Sequence, residues 1–173
     1  VFDPAKLEWM NGVYIRELPA AEFVARSLPW VAAGLGRDLT PDEMAVLVEI
    51  APHVQERTKL LTEVADQVQF LFSDITYDER SWKKVMTKAE VPTALAAAQA
   101  ALAGVEGWTT PNIEAALRGM LEEHDLSPRK GLQPLRVAVS GSSVSPPLFE
   151  SMEALGRERT LQRLAAAGAQ LES

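Results

Sequence analysis

The sequence predicts an all-α protein, and three observations carry that reading. Nearly every segment repeats its apolar residues at spacings of three and four, the period of one helix face. The breaks between segments are prolines, glycines and Thr-Pro or Ser-Pro pairs, which start and stop helices. The one stretch that alternates like a strand, Leu135 to Gly141, has no second strand to pair with, so a short helix ending at Gly141 is expected there. With 173 residues, 47% of them hydrophobic, the chain is long enough to bury the core of one domain or two small ones.

The first helix is expected from Pro4 to Ile15, with Leu7, Met10, Tyr14 and Ile15 as its apolar residues. A second should run from Pro19 to about Leu28 and stop before Pro29, because a proline disfavours helical backbone in the residue ahead of it. Thr40-Pro41-Asp42-Glu43 combines an N-cap, a first-turn proline and first-turn acids, and opens a long helical region. Along it Leu47, Ile50, Val54, Arg57, Leu61, Val64, Val68 and Leu71 fall on one face, with Pro52 expected to kink or split the run. Asp74 to Tyr77 reads as a break. A basic segment (Arg80, Lys83, Lys84, Lys88) follows, and then an alanine-rich helix from about Val91 to Leu102. Thr110-Pro111 starts another helix, which runs to about His124 and carries Ile113, Leu117, Met120 and Leu121. After a loop at Ser127-Pro128 and the helix ending at Gly141, two short helices are expected, Pro147 to Leu155 and Arg157 to about Ala167.

Composition excludes several chemistries. There is no cysteine, hence no disulfide framework and no thiolate metal site, and His53 and His124 lie too far apart for a local zinc motif. No apolar run reaches membrane-spanning length, and the N-terminus has neither the basic nor the apolar region of a secretion signal, so a cytoplasmic protein without a membrane partner is expected. The net charge of -7 argues against a nucleic-acid partner at first sight. Its distribution is uneven, however. Residues 1–79 hold 6 Lys and Arg against 14 Asp and Glu, a net of -8, whereas residues 80–173 hold 11 against 10, a net of +1. A phosphate-facing surface therefore belongs in the second half.

Two constellations stand out. Arg57 is the one charged residue on the apolar stripe of the long helical region. Either its stem snorkels to water or pairs with Glu63 or Asp66, or packing holds its guanidinium as a rigid fork for a base edge or phosphate. The segment Arg136 to Leu148 (RVAVSGSSVSPPL) joins an arginine, a Ser/Gly turn and a Pro-Pro helix start, offering hydroxyls and backbone amides to polar base edges, with prolines and leucines to stack against a base. An ordinary connection between helices has the same composition. No Gly-x-x-x-x-Gly-Lys-Ser/Thr phosphate loop is present, and neither histidine sits in a nucleophile–base setting. The four tryptophans read as core or boundary anchors, and Glu158 to Arg163 as a solvated helix face.

Three stretches in order resemble the C-terminal half of bacterial glutamyl-tRNA synthetases, class I aminoacyl-tRNA synthetases. They are Lys6-Leu7-Glu8-Trp9-Met10-Asn11-Gly12 with Tyr14-Ile15-Arg16; Glu56-Arg57-Thr58-Lys59-Leu60 ahead of Phe70-Leu71-Phe72; and Gln133-Pro134-Leu135-Arg136 through Ser140-Gly141, with Ser145-Pro146-Pro147-Leu148-Phe149-Glu150, Leu155-Gly156 and Arg163-Leu164. The resemblance spans essentially the whole chain. It implies a helical anticodon-binding cage of two subdomains, 21–79 and 80–173, joined through residues 1–20 to a stem-contact region and a catalytic domain.

In similar enzymes an arginine at the place of Arg57 reads the third anticodon base, while residues matching Arg136, Ser145, Pro146 and Leu148 surround the first two. At the position of Ser145 related proteins also carry threonine. The chain lacks HIGH-like and KMSKS-like ATP signatures, so the resemblance implies a monomer that binds the anticodon loop of tRNA(Glu) and does not aminoacylate by itself. ATP and magnesium are then needed only by the full-length ligase. The competing reading is a helical protein–protein interaction or scaffolding domain, which the net negative charge would suit.

Overall fold

The computed structural model describes residues 3–172, and among them every regular element is helical. In chain order these are α1 (Pro4–Glu17), α2 (Ala20–Leu35), α3 (Pro41–Gln55), α4 (Val64–Val68), α5 (Glu79–Ser81), α6 (Val91–Ala103), α7 (Thr110–Glu123), α8 (Pro128–Ser140), α9 (Leu148–Leu155) and α10 (Arg157–Leu171). Short 3₁₀ turns flank α4, and a π-turn, Trp82–Met86, continues α5. The all-α expectation holds, and Leu135–Ser140 is helix, ended by Gly141 in the left-handed conformation at φ 81°. No described helix is long and apolar enough to cross a membrane. The chain divides into two compact units at Ser73–Asp74.

In the first unit α2 packs on both α3 and α4. The helix does not stop at Pro29, as the sequence led us to expect; it runs six residues further, to Leu35. Pro29 removes one N–H, but Pro29 and the Ala25 carbonyl it would have bonded lie on the exposed side, where water can serve that oxygen. Meanwhile Phe23, Val24, Ser27 and Val31 continue one buried stripe across the proline. Gly36 at φ 67° then closes α2, with Arg37 N–H returning to the Ala32 carbonyl. Thr40 caps α3, as its sequence signature promised, and the structure adds that Glu43 returns the bond in a reciprocal box. Arg37 forks onto the same Glu43 at 2.7 Å through each of two nitrogens and reaches the Phe72 carbonyl at 3.0 Å.

The apolar face assigned to α1 is a second correction. Leu7, Met10 and Tyr14 are exposed, as is Trp9, and only Gly12 and Ile15 are buried. Contact with the rest of the unit is made by the C-terminal half of the helix. There Gln55 donates its side-chain amide to the Ile15 and Leu18 carbonyls, 2.8 Å each.

In the second unit α6 lies against α7, α8 and α10. Its alanines explain why one helix serves three neighbours. Ala94 and Ala98 are fully buried beside Val91, Leu95 and Leu102, and a small side chain lets partner helices approach closely on several sides. The segment Glu158–Arg163 is not a solvated face: Thr160 is fully buried, and half-buried Arg163 donates to the Val139 carbonyl at 2.6 Å, closing the end of α8. Burial pushes the Arg163 guanidinium down to about 10, with nearby Arg159 adding to the effect, so it stays charged at neutral pH. Of the tryptophans, Trp82 packs against Tyr77 and Trp108 donates to the Met152 carbonyl at 2.8 Å beneath Arg157. Trp9 and Trp30 are exposed instead.

Candidate nucleic-acid interface

Between Arg136 on α8 and Leu148 at the start of α9, residues 141–147 form a loop that is braced from both of these helices. Arg136 stands on the last turn of α8, and its Nη1 donates to the Ser145 hydroxyl (2.6 Å), the Pro146 carbonyl (2.7 Å) and the Ser145 carbonyl (3.2 Å). Ser145 in turn donates a hydrogen bond from its hydroxyl to the Pro146 carbonyl at 3.1 Å, and both residues are buried. The helix runs on past Arg136 to Ser140, whose hydroxyl donates back to the Arg136 carbonyl at 2.8 Å, and Gly141 then reverses the chain.

Gly141 is required for two reasons. Its φ is positive, and a Cβ there would stand 2.6 Å from the Thr76 carbonyl oxygen. The Gly141 carbonyl accepts from Asp78 N–H at 2.8 Å, and the Ser81 hydroxyl takes Ser143 N–H at 3.0 Å. These bonds hold the loop to the N-cap and the last residue of α5.

Arg136, Ser145 and Pro146 are thus brought into one hydrogen-bonded cluster. Leu148 opens α9 immediately after it and is 5% exposed, so it forms part of the loop's apolar footing. One neighbour escaped the sequence reading: Val144 is 81% exposed at the tip of the loop, an apolar surface held between braced residues. Its only signal was being the one apolar residue in a run of serines.

Arg57 belongs to the first unit, and its setting corrects the expectation. Helix α3 ends at Gln55, three residues after Pro52, and Arg57 lies exposed in the following turn rather than on an apolar stripe. The remaining residues of that stripe are buried, except Leu61, which is partly so. The turn is firmly built. Fully buried Thr58 donates to the Val54 carbonyl at 2.8 Å, and the Glu63 carboxylate accepts from the backbone N–H groups of Lys59 and Leu60. Asn11 of α1 donates its side-chain amide to the Lys59 carbonyl. An exposed guanidinium on a fixed turn is well presented to a ligand.

Residues 22–168 match the family described as the anticodon binding domain. This chain belongs to that family. Among the relatives of the anticodon-binding domain, a glutamate–tRNA ligase of Roseiflexus castenholzii is 44% identical over 96% of the chain and 34% of the relative. A glutamate–tRNA ligase of Acidothermus cellulolyticus is 42% identical over 98% of the chain and 34% of the relative. The chain therefore spans about a third of the length of these relatives. A solved glutamate tRNA ligase from Elizabethkingia meningosepticum has the same fold, with a TM-score of 0.79 and 21% identity over 98% of the chain and 33% of that protein.

Proposed function

We propose that this anticodon-binding domain is the tRNA-reading part of a glutamate–tRNA ligase, and that the braced loop from Arg136 to Leu148 reads unstacked bases of the anticodon loop of tRNA(Glu). The observation that carries the reading is the Arg136–Ser145–Pro146 cluster, at positions for which the resemblance in sequence implies base-reading residues. Specific RNA recognition targets splayed loop bases through side-chain forks, backbone groups and apolar contact. The cluster turns its own polar groups inward and so fixes the surface of the loop before binding, which lowers the entropic cost of recognition. Val144 offers an apolar contact for a base, and Arg57 provides a separate fork on its own rigid turn.

In this reading ATP and magnesium serve the remainder of the ligase, and the domain works as a monomer in the cytoplasm. Charge supports the division of labour: two forks and a polar loop need little net positive charge to discriminate bases, so an acidic whole is compatible with recognition.

The test uses the chain with Arg57→Ala or Arg136→Ala, titrated with an anticodon stem-loop of tRNA(Glu) and with the same stem carrying a scrambled loop. Arg57→Ala is expected to reduce the discrimination by about 1–3 kcal/mol, the worth of one good bidentate base contact, and Arg136→Ala to reduce it as well, through the loop that Arg136 braces. Equal affinity of the unaltered chain for both RNAs would favour the scaffolding alternative.

A further inference from the structure

Besides the loop, the second unit carries an open cleft of about 610 Å³ between the π-turn region and the N-terminal half of α8. Lys84, Lys88, Arg129 and Lys130 line it, against the single carboxylate of Glu90. All four cations are exposed, and among the described residues none of them enters an ion pair. Folding gives no reason for this arrangement. Arg129 and Lys130 occupy the first turn of α8, the end at which the helix macrodipole disfavours positive charge. A local rule broken without structural compensation points to a function at that place.

The direction of the cleft indicates what it binds. Arg129, Gln133, Arg136 and Ser140 follow one another at spacings of four, three and four, so they share one face of α8. Gln133 lines the cleft, and Arg136 holds the reading loop. At about 1.5 Å of rise per residue, Arg129 and Arg136 are separated by roughly 10 Å along the helix. From the other side Ser143, two residues before Ser145, also lines the cleft. Cleft and loop are one continuous surface.

We propose that this cleft is a phosphate track: Lys84, Lys88, Arg129 and Lys130 neutralise phosphodiester groups of the RNA strand that continues from the bases held at the Arg136 loop. The proposal rests on the RNA-reading function proposed above. The chemistry it assigns is distinct, because backbone phosphates position the strand and carry no sequence information. An RNA strand fits better than an acidic protein, since continuity with a base-reading loop is of use only to a ligand that has both bases and phosphates.

The experiment compares the chain with its Lys84→Gln, Lys88→Gln, Arg129→Gln, Lys130→Gln variant, binding the cognate and the scrambled stem-loop between 50 and 200 mM salt. Each phosphate contact contributes about 0.7–0.9 to the slope of log affinity against log salt, so losing four should flatten the slope by about three. Over that fourfold range of salt the unaltered chain should lose about sixty-fold more affinity than the variant. Both RNAs should weaken by the same factor, leaving their ratio unchanged.

An unchanged slope in a variant with a normal circular dichroism spectrum, while the unaltered chain still discriminates the two RNAs, overturns the track and leaves the reading function standing. A flattened slope with no discrimination by either protein supports the track and overturns base reading instead. Polyglutamate of equal charge displacing the RNA as effectively as RNA itself overturns the assignment to phosphodiesters and favours an acidic protein partner.

Discussion

Replacing Arg136 with alanine tests whether the reading loop is braced as described. Two of its Nη1 bonds, at 2.6 and 2.7 Å, are short and come from a charged donor. Such bonds contribute about 1.5–3 kcal/mol each. The loss is partly offset, because the Pro146 carbonyl keeps the Ser145 hydroxyl at 3.1 Å and the Ser151 hydroxyl at 3.4 Å as donors. The Ser145 hydroxyl, buried, loses its cationic neighbour outright. Counting one bond in full and discounting the other gives a net destabilisation of about 2–3 kcal/mol. For a unit of about 100 residues, at about 4–8 °C per kcal/mol, its melting temperature should fall by roughly 10–20 °C. Thermal and urea unfolding followed by circular dichroism and tryptophan fluorescence measures this. A loss below about 0.5 kcal/mol would mean that the loop holds itself without Arg136, and the argument for a preorganised site would fail with it.

Other perturbations test separate parts of the molecule. Gly141→Ala should destabilise the second unit by about 2–4 kcal/mol, because it combines a left-handed backbone with a Cβ placed 2.6 Å from the Thr76 carbonyl, and urea unfolding reads the change. Thr40→Ala should cost the first unit about 0.5–2 kcal/mol by removing the N-cap of α3. The fork of Arg37, with the Thr40 backbone amide assisting, holds the Glu43 carboxyl down at about 2 instead of 4.5. Its stabilising contribution is therefore present above about pH 4.5 and disappears as the pH falls through about 2, so acid titration should narrow the stability gap between the chain and Glu43→Gln over that window. Gln55→Ala should loosen the end of α1 and cost about 1–3 kcal/mol, seen as faster amide exchange near Leu18, because two carbonyls lose a shared donor.

Helix starts and stops were legible because their signals are local. Thr40-Pro41, Thr110-Pro111 and Gly141 each impose a backbone geometry within a few residues, and the structure uses all three. What depends on the environment was not legible. Pro29 reads as a stop, yet it is tolerated because its missing bond faces water while Val31 remains buried. The apolar residues of α1 have the helical period, but the period does not tell which face meets a partner, and most of them are exposed. Thr160 is buried in a polar-looking stretch because its hydroxyl sits within 3.5 Å of the Met152 carbonyl of the preceding helix, a contact that no window of sequence displays.

The two arginines show the same limit at the candidate site. Arg57 attracted notice by breaking an apolar period, but the period does not continue through it: α3 has already ended, and Thr58 and Glu63 build a turn that turns the guanidinium outward. The exposure of Arg57 in that turn suits a ligand better than a place on an apolar stripe would have. Arg136 stands beside a polar loop in the sequence, and the structure shows the reason the two occur together: the loop's own carbonyls and the Ser145 hydroxyl are acceptors turned inward, and a cation on α8 satisfies them. Arg136 is therefore tied to loop geometry first. Any effect of its loss on RNA discrimination has to be separated from loop collapse by comparing Arg136→Ala with Gly141→Ala. If both abolish discrimination in proportion to the stability they remove, Arg136 acts as a brace. If Arg136→Ala loses discrimination out of that proportion, its guanidinium touches the RNA.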